Sequence, residues 1–474
     1  MKILLIQPEA TKAVNKEFLS LQYPINLGYI ASSLIKANNE VKMIDLNVMP
    51  KKELLKIIKK FKPQIAGLTS MTSSIYNAGE TIDIIKDKNK KIITVLGGCH
   101  ASALPFETMK EIKNLDFLVH GEGEETVVEL VDFIKKGKKM HNIPGIAFRE
   151  KNGIIINKKR ELIKDLDSIP FPNRDLIDME LYSKHHVTRG FSRKNNKIIE
   201  ILTSRGCPNK CIFCAGHVNY KGTLRFRSFE NIKKEIEENI EKFNINHISI
   251  EDDTFTINRP LVIKLCEFFK EKKLSWNCNS RVNTVNLKLL KMMAESGCKK
   301  ISFGVESGSP KILKKIKKNI RIKDVKNAVK NAKKAGIRFV ECTFMIGSHP
   351  DEKIEDVEKS IKLMHELMPD FLAFSILCPF PGTEIYDILI KSKLLPKNPD
   401  WSQFSLFGNL KRYEKLNYMT SDEMIKLQSS VLKNYYKSPK YVWNQIKKIK
   451  SFDEVKYFLS MAKSYLKELV FAKN

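Results

Sequence analysis

Three closely spaced cysteines are the residues of this sequence best suited to chemistry. Cys207, Cys211 and Cys214 are separated by gaps of three and two residues, and no fourth cysteine lies nearby. Iron–sulfur clusters are held by cysteine thiolates, usually one per iron, so three thiolates on a four-iron cluster leave one iron open to a non-protein ligand. The pattern therefore predicts an iron–sulfur cluster with one reactive iron.

Two other uses of these thiols remain open. A zinc knuckle would need a fourth ligand, which His217 could supply, and a cluster could also be merely structural. Structural zinc motifs usually bring a second ligand pair. The remaining cysteines form no such pair, because they are scattered singly at positions 99, 266, 278, 298, 342 and 378. This scatter favours the cluster with an open iron.

The composition is that of a globular protein without a membrane span. Its 474 residues suggest about three domains, and 42% hydrophobic residues are enough to build buried cores. The nine cysteines show no disulfide framework and the apolar start is too short for a signal peptide, so we expect a cytoplasmic protein. No stretch reaches the ~18 to 20 apolar residues of a spanning helix, which leaves at most peripheral membrane contact.

The net charge of +29 arises from 83 Lys and Arg residues against 54 Asp and Glu residues. Such an excess attracts nucleic acid, anionic lipid or acidic metabolites in principle. Here the lysines are spread along the chain, on predicted helices such as 51–60 and 311–318, without a basic stripe interleaved with aromatic residues. We therefore expect solvated helix faces and no nucleic-acid partner.

The first 140 residues alternate short apolar runs with amphipathic segments such as residues 54–61. The predicted strands are residues 3–6, 41–44, 65–69, 92–96 and 117–119. This alternation predicts a doubly wound parallel sheet, which binds ligands beyond the carboxyl ends of its strands. Three loops at those ends, 69–74, 97–100 and 121–125, are small and polar enough to admit a bulky flat ligand, although ordinary turns have the same composition.

A second α/β region follows a looser segment, 141–193, in which Asn152 and Gly153 predict a hairpin. The predicted strands of this region are residues 198–202, 247–250, 274–278, 300–304, 339–346 and 371–377. Six strand–helix repeats predict a partial parallel barrel, with the cysteines directly after its first strand. From about residue 413 the chain becomes helical, basic and aromatic, with tyrosines up to Tyr457, and we expect this tail to pack on the barrel, cover its opening or rest on anionic lipid.

Several motifs resemble one enzyme superfamily. Phe213 precedes the last thiol in the run Arg205-Gly-Cys-Pro-Asn-Lys-Cys-Ile-Phe-Cys214, which resembles the radical S-adenosylmethionine (radical SAM) motif. The segments 24–28, 97–105 and 121–125 resemble the cobalamin-binding domain that precedes the radical core in one class of these enzymes. The run Pro379-Phe-Pro-Gly-Thr383 is close to a signature of that class.

The resemblance implies an α/β fold with four regions. These are an N-terminal doubly wound, flavodoxin-like cobalamin-binding domain (1–140), a linker or strap (141–193), a partial (β/α)6 radical SAM core (194–412) and a helical C-terminal region (413–474). The implied cofactors are a 4Fe-4S cluster, S-adenosylmethionine (SAM) and cobalamin.

The resemblance also assigns roles to individual residues. In the core, Phe213 belongs to the cluster motif, Asp252 and Asp253 would bind the SAM ammonium or cap a helix, Glu306 would contact its ribose, and Lys318 would face its carboxylate. The implied cobalamin contacts of the first domain are Ser70, Thr72, Gly97, Gly98, His100, Gly121, Glu122 and Gly123. His100 is equally suited to capping local backbone, and the Asp-x-His-x-x-Gly motif that supplies a lower cobalt ligand in other cobalamin proteins is absent.

The implied activity begins when one electron from the reduced cluster cleaves SAM to methionine and a 5′-deoxyadenosyl radical, which takes hydrogen from an unreactive carbon. Methylcobalamin would then methylate the carbon of a small-molecule substrate, and a low-potential flavodoxin or ferredoxin would supply electrons under anaerobic conditions. The same layout resembles the anaerobic magnesium-protoporphyrin IX monomethyl ester cyclase, which leaves an oxidative cyclisation open. A cobalamin-responsive binding protein with a structural cluster is the alternative outside the enzymes.

Overall fold

The computed structural model describes residues 1–10, 21–151, 153–185, 197–405, 413, 415–416, 418–449 and 455 of the 474-residue chain. The start of the predicted hairpin turn at Asn152, the tail tyrosine Tyr457 and most of the tail beyond residue 449 lie outside the described residues.

The first sheet contains five parallel strands close to the predicted positions. They are β1 (Lys2–Gln7), β2 (Glu40–Asp45), β3 (Ile65–Thr69), β4 (Ile93–Gly97) and β5 (Phe117–Val119). Their order is β2-β1-β3-β4-β5, which is that of a flavodoxin-like doubly wound sheet. Four consecutive residues of β1 are buried because helices cover both faces of a parallel sheet. The predicted fold class of this domain is confirmed.

The hairpin after this domain extends the same sheet. Strand β6 (Ile146–Glu150) pairs antiparallel with β5, and β7 (Gly153–Ile156) pairs with β6. The first sheet therefore continues past residue 140, into the segment expected to be a linker.

The second sheet has six parallel strands in the order β15-β14-β13-β12-β11-β8. These strands are β8 (Ile198–Ile201), β11 (His247–Ile250), β12 (Ser275–Ser280), β13 (Cys298–Glu306), β14 (Phe339–Ile346) and β15 (Phe371–Ile376). Since β8 and β15 lie at opposite edges, the sheet is the open, partial barrel predicted from the sequence. A short antiparallel ribbon of β9 (Ser204–Arg205) and β10 (Arg225–Phe226) stands at the carboxyl end of β8.

The helices that cover these sheets begin and end at ordinary sequence signals. For example, the Ser228 side chain caps the first turn of the helix at 229–243, and Asn244 ends it in the left-handed conformation. The helices are α1 (Ile25–Lys36), α2 (Lys51–Phe61), α3 (Ile75–Lys88), α4 (Cys99–Ala103), α5 (Pro105–Glu111), α6 (Glu124–Lys136), α7 (Met179–His185), α8 (Gly216–Tyr220), α9 (Phe229–Phe243), α10 (Arg259–Glu271), α11 (Leu287–Glu295), α12 (Pro310–Lys315), α13 (Ile322–Lys334), α14 (Ile354–Leu367), α15 (Glu384–Lys391), α16 (Ser421–Lys437) and α17 (Pro439–Ile446). A helix with the length and apolarity required to cross a bilayer does not occur in the part of the chain described.

The described part of the tail packs against the core sheet. The Tyr436 hydroxyl accepts a hydrogen bond from Leu372 N at the edge strand β15 (2.9 Å), and the Tyr435 hydroxyl donates to Pro369 O (2.5 Å). The Tyr441 hydroxyl donates to Asp370 O (3.0 Å). Helices α16 and α17 thereby cover an edge strand that would otherwise expose unpaired backbone groups.

Candidate active site

The loop that carries the three cysteines joins the two strands of the β9/β10 ribbon. Gly206 leads into it with φ +89°, and a side-chain carbon there would lie 2.0 Å from Thr223 O, so only glycine fits. The Asn209 side chain donates to Cys207 Sγ (3.1 Å), and Cys214 N donates to Cys211 O (3.2 Å). These bonds hold the three predicted cluster ligands on one short loop.

Other polar groups surround the thiols. Thr254 Oγ1 lies 3.7 Å from Cys207 Sγ, and the Arg281 guanidinium lies 3.8 Å from Cys211 Sγ. Burial raises the pKa of Cys214 to about 11, so iron binding must displace a proton from it. A ring nitrogen of His217 contacts Asn209 O, which gives this possible zinc ligand a backbone partner. The described residues contain no group of three or more Cys, His, Asp or Glu side chains arranged to bind a single metal ion.

The two aspartates after β11 have different environments. Asp252 is buried and accepts hydrogen bonds from Thr203 N (2.7 Å) and from the Thr203 and Ser204 hydroxyls (2.6 and 2.5 Å). Asp253 is exposed, and its Oδ2 lies near Cys214. Both atoms face Gly216: a side-chain carbon added there would lie 3.5 Å from Asp253 Oδ2 and 3.4 Å from Cys214 Sγ. Asp253 is therefore better placed than Asp252 to meet a ligand at the cluster.

Glu306 and Lys318 form a buried ion pair with 2.8 Å between Oε1 and Nζ. Glu306 has φ +68°, and the register with β14 shifts just before it. A bulge with a strained residue of this kind re-aims a side chain and is common at functional sites. Gly304 makes room for the pair, because a side-chain carbon there would lie 2.4 Å from the Glu306 carboxylate.

Lys318 also connects this pair to the cysteine loop. Its ammonium lies 5.9 Å from the centre of the Phe213 ring, and its carbonyl accepts a hydrogen bond from Arg281. Predicted residues from three separate segments of the core thus meet beside the cysteines.

The first-domain loops form a tight cradle at the carboxyl ends of β3 and β4. Ser70 N donates to Gly97 O (2.9 Å), and Gly121 N, after β5, donates to Ser102 Oγ (3.0 Å). Gly98 has φ +103°, and a side-chain carbon there would lie 2.4 Å from Ser70 O. Gly97, Gly98 and Gly121 are half-buried, so the glycine backbone at this sheet edge is partly accessible to a ligand.

The other predicted residues of this domain lie more deeply. Thr72 is buried in a single helical turn. Gly123 packs against Ile30, because a side-chain carbon added at Gly123 would lie 2.9 Å from the Ile30 side chain. His100 is buried, burial lowers its pKa to about 4, and its ring packs edge-on against Trp401 (5.0 Å between ring centres). Neither His100 nitrogen has a hydrogen-bond partner within the described structure, so the ring does not cap local backbone.

Glu122 is engaged by the core domain. Its carboxylate forms ion pairs with Arg205 (2.9 Å) and Arg225 (2.8 Å), and it accepts a hydrogen bond from Ile163 N (2.9 Å). The resemblance predicts that Glu122 contacts cobalamin, but its ion pairs are to the ribbon that frames the cysteine loop.

The two candidate sites adjoin each other. Helix α4, which follows the Gly97–Gly98 turn, contacts α8, which follows the cysteines. Gly382 of the run Pro379–Thr383 packs between them, since a side-chain carbon there would lie 2.9 Å from Val218 and 3.5 Å from Ala103. The cradle and the cysteine loop therefore lie on either side of one domain interface.

Sequence reasoning missed Arg281, Asn209, Thr254 and the two arginines of the ribbon. Arg281 follows directly after β12, at the same sheet edge as the other site residues, and this position was a usable signal. The ribbon arginines gave no such signal, because their partners are about 80 to 100 residues away in the chain.

Comparison with known proteins identifies the family. A model of the radical SAM superfamily matches residues 201–364, and a model of the B12 binding domain matches residues 11–131. An uncharacterized methyltransferase of Pyrococcus horikoshii is 35% identical over 450 residues, covering 94% of this chain and 95% of that protein. An anaerobic magnesium-protoporphyrin IX monomethyl ester cyclase of Rubrivivax gelatinosus is 28% identical over 401 residues, covering 82% of this chain and 70% of the cyclase. The solved structure of OxsB, a cobalamin-dependent S-adenosylmethionine radical enzyme, has a TM-score of 0.77 at 18% identity and covers 99% of this chain and 72% of that one.

The chain belongs to the radical SAM superfamily and carries the B12-binding domain of its cobalamin-dependent members. It is therefore an enzyme whose cofactors are a 4Fe-4S cluster, SAM and cobalamin. The residues fit these groups: three thiols share one loop beside a cation, and the Gly98 turn forms a cradle that a side-chain carbon would fill.

Proposed function

We propose that this enzyme methylates an unactivated carbon of a small-molecule substrate. When bound, the cluster supplies the electron that cleaves SAM to methionine and a 5′-deoxyadenosyl radical, and cobalamin supplies the methyl group. The observation that carries the proposal is the contact between α4 and α8, which supports a cobalamin site next to the cysteine loop. The P. horikoshii relative is also named as a methyltransferase.

The chain's own residues would bind and orient the reactants. Asp253 would accept hydrogen bonds from the SAM ammonium beside Cys214, while Glu306 would accept from the ribose hydroxyls. Lys318, held by Glu306, would face the SAM carboxylate. The nine cysteines are all free, which supports a reducing cytoplasmic setting.

The test is an anaerobic assay of protein reconstituted with iron, sulfide and hydroxocobalamin. With dithionite as reductant, we expect 5′-deoxyadenosine from one SAM, and S-adenosylhomocysteine from a second SAM that would donate its methyl group to cobalamin. Formation of 5′-deoxyadenosine without any S-adenosylhomocysteine would favour the oxidative cyclisation suggested by the cyclase relative. If neither product forms and the cysteines hold zinc, the proposal is wrong.

We further propose that an acidic flavodoxin or ferredoxin donates the electron at a basic surface beside the cysteine loop. Ile212 N of that loop donates to Ile316 O (3.2 Å), which places the end of α12 against it. Lys210 and Lys314 are exposed within two residues of this bond, and neither forms an ion pair in the described part of the chain. Positive charge next to an electron-accepting group steers an acidic carrier toward it.

Lys314→Glu should slow the carrier-driven reaction without changing the dithionite-driven one. Reversing a rim charge acts mainly on association, so we expect 5′-deoxyadenosine formation with reduced flavodoxin to fall about tenfold at low salt, with a smaller difference at high salt. Lys330→Glu, an exposed change of equal charge on α13, is the matched control. Equal effects of both substitutions would place the carrier elsewhere.

A further inference from the structure

Two arginines face each other on the ribbon that frames the cysteine loop. Arg205 of β9 pairs directly with Arg225 of β10 in the antiparallel register. Side chains directly opposite in such a ribbon share one face, and like charges there are destabilising. The ribbon therefore needs negative charge close to both guanidinium groups.

The first domain supplies that negative charge. The Glu122 carboxylate lies between the arginines, with Oε1 2.9 Å from Arg205 Nη1 and Oε2 2.8 Å from Arg225 Nη1. Glu124 Oε1 lies 2.6 Å from Arg205 Nη2. The four side chains are nearly inaccessible to solvent, and their two positive and two negative charges cancel. We call these four residues the Arg–Glu latch.

Glu122 is ionised within the latch. Burial acts to raise its pKa, but the hydrogen bonds and charges of Arg225 and Arg205 outweigh burial and leave the pKa below its ordinary value. Because a lowered carboxyl pKa stabilises the folded state only while the group is charged, the latch holds at neutral pH and weakens in acid, below the ordinary value of 4.5.

The latch joins the two cofactor loops over a short stretch of chain on each side. Glu122 lies between Gly121 and Gly123 in the predicted cobalamin loop, while one residue separates Arg205 from Cys207. The Arg205 guanidinium also stacks over the Tyr29 ring of the first domain (5.1 Å). A shift of either loop is thereby transmitted to the other.

We propose that the Arg–Glu latch is a positioning device that fixes the cobalamin loop against the cluster loop. This inference rests on the proposed function. Glu122 then acts through Arg205 and Arg225 instead of touching the corrin. Transfer of a methyl group from SAM to cobalamin depends on how the two domains are positioned. Cleavage of SAM depends on this less, because the residues proposed to hold the cluster and SAM all lie in the core domain.

The test is the ratio of S-adenosylhomocysteine to 5′-deoxyadenosine in reconstituted Glu124→Gln and Arg225→Met. We expect the ratio to fall by about 10- to 100-fold, the scale of a misplacement of about 1 Å. Glu129→Gln is the matched control. Glu129 lies on the same helix α6, but it pairs with Arg160, whose ion pairs are to Glu125 and Glu129 of that helix. The control should keep the wild-type ratio.

Hydrogen–deuterium exchange of the protein without cofactors gives a second readout. Amides at 121–125 and 205–214 should exchange faster in Glu124→Gln than in the wild type or Glu129→Gln. Unchanged exchange together with an unchanged ratio would overturn the proposal. So would a loss of bound iron that removes both products, since the latch would then merely support the cluster loop. If the wild type forms neither product, the proposed function fails, and the exchange experiment still decides whether the latch couples the loops.

Discussion

Cys211→Ala should abolish SAM cleavage and remove most of the bound iron. Cys211 is buried at the centre of the cysteine loop, and its loss leaves two thiolates to hold a four-iron cluster. We expect 5′-deoxyadenosine formation to fall by more than about 100-fold, the upper end of the range for loss of an outer-shell partner of a metal site. Iron and sulfide analysis of anaerobically reconstituted protein measures the cause, and the dithionite assay measures the consequence.

Cys99→Ala is the control for this experiment. Cys99 is the one cysteine that is exposed in the described structure, so Cys99→Ala removes a thiol without touching the loop at 207–214. We expect its iron content to equal that of the wild type. Retention of iron and SAM cleavage by Cys211→Ala would show that these thiols do not hold the cluster.

The strands and the cluster loop were predictable because their signals are local. The apolar run at 65–69 forms strand β3, and the amphipathic segment at 54–61 lies in helix α2, as their periodicity predicted. The thiol spacing predicts the ligand loop from positions that are equally close in the chain. Patterns of this kind depend on residues within a few positions of one another.

The contacts between segments were not predictable in the same way. Asp252 and Asp253 are adjacent in the sequence, yet one bonds the end of β8 and the other lies beside Cys214. Glu122 had the loop context of a cofactor ligand, but the guanidinium groups that engage it come from a ribbon whose position only the assembled fold defines. Tertiary packing determines which carboxylate pairs with which cation, and local sequence patterns do not reveal these pairs.

Gly98→Ala should abolish cobalamin binding while leaving the cluster intact. Gly98 has φ +103°, where an L side chain is strained, and the added carbon would lie 2.4 Å from Ser70 O and 2.7 Å from Ser70 N. These are backbone atoms that cannot rotate away, so the 97–100 turn must move out of the cradle. Restoring the strained turn on binding would cost ~1 to 3 kcal/mol, which corresponds to about a 5- to 150-fold loss of affinity. Steric overlap of the displaced turn with the ligand adds to this loss.

Titration of the protein with hydroxocobalamin, followed by absorbance of the retained cofactor after gel filtration, measures this effect. Gly79→Ala is the matched control, because Gly79 lies within α3 and a side-chain carbon there would meet Ile112 at an ordinary 3.5 Å. Alanine also favours the helix at that position, so cobalamin affinity should remain that of the wild type. Both variants should retain iron, which separates a local change in the cradle from misfolding. Wild-type cobalamin affinity in Gly98→Ala would mean that the corrin lies away from this turn.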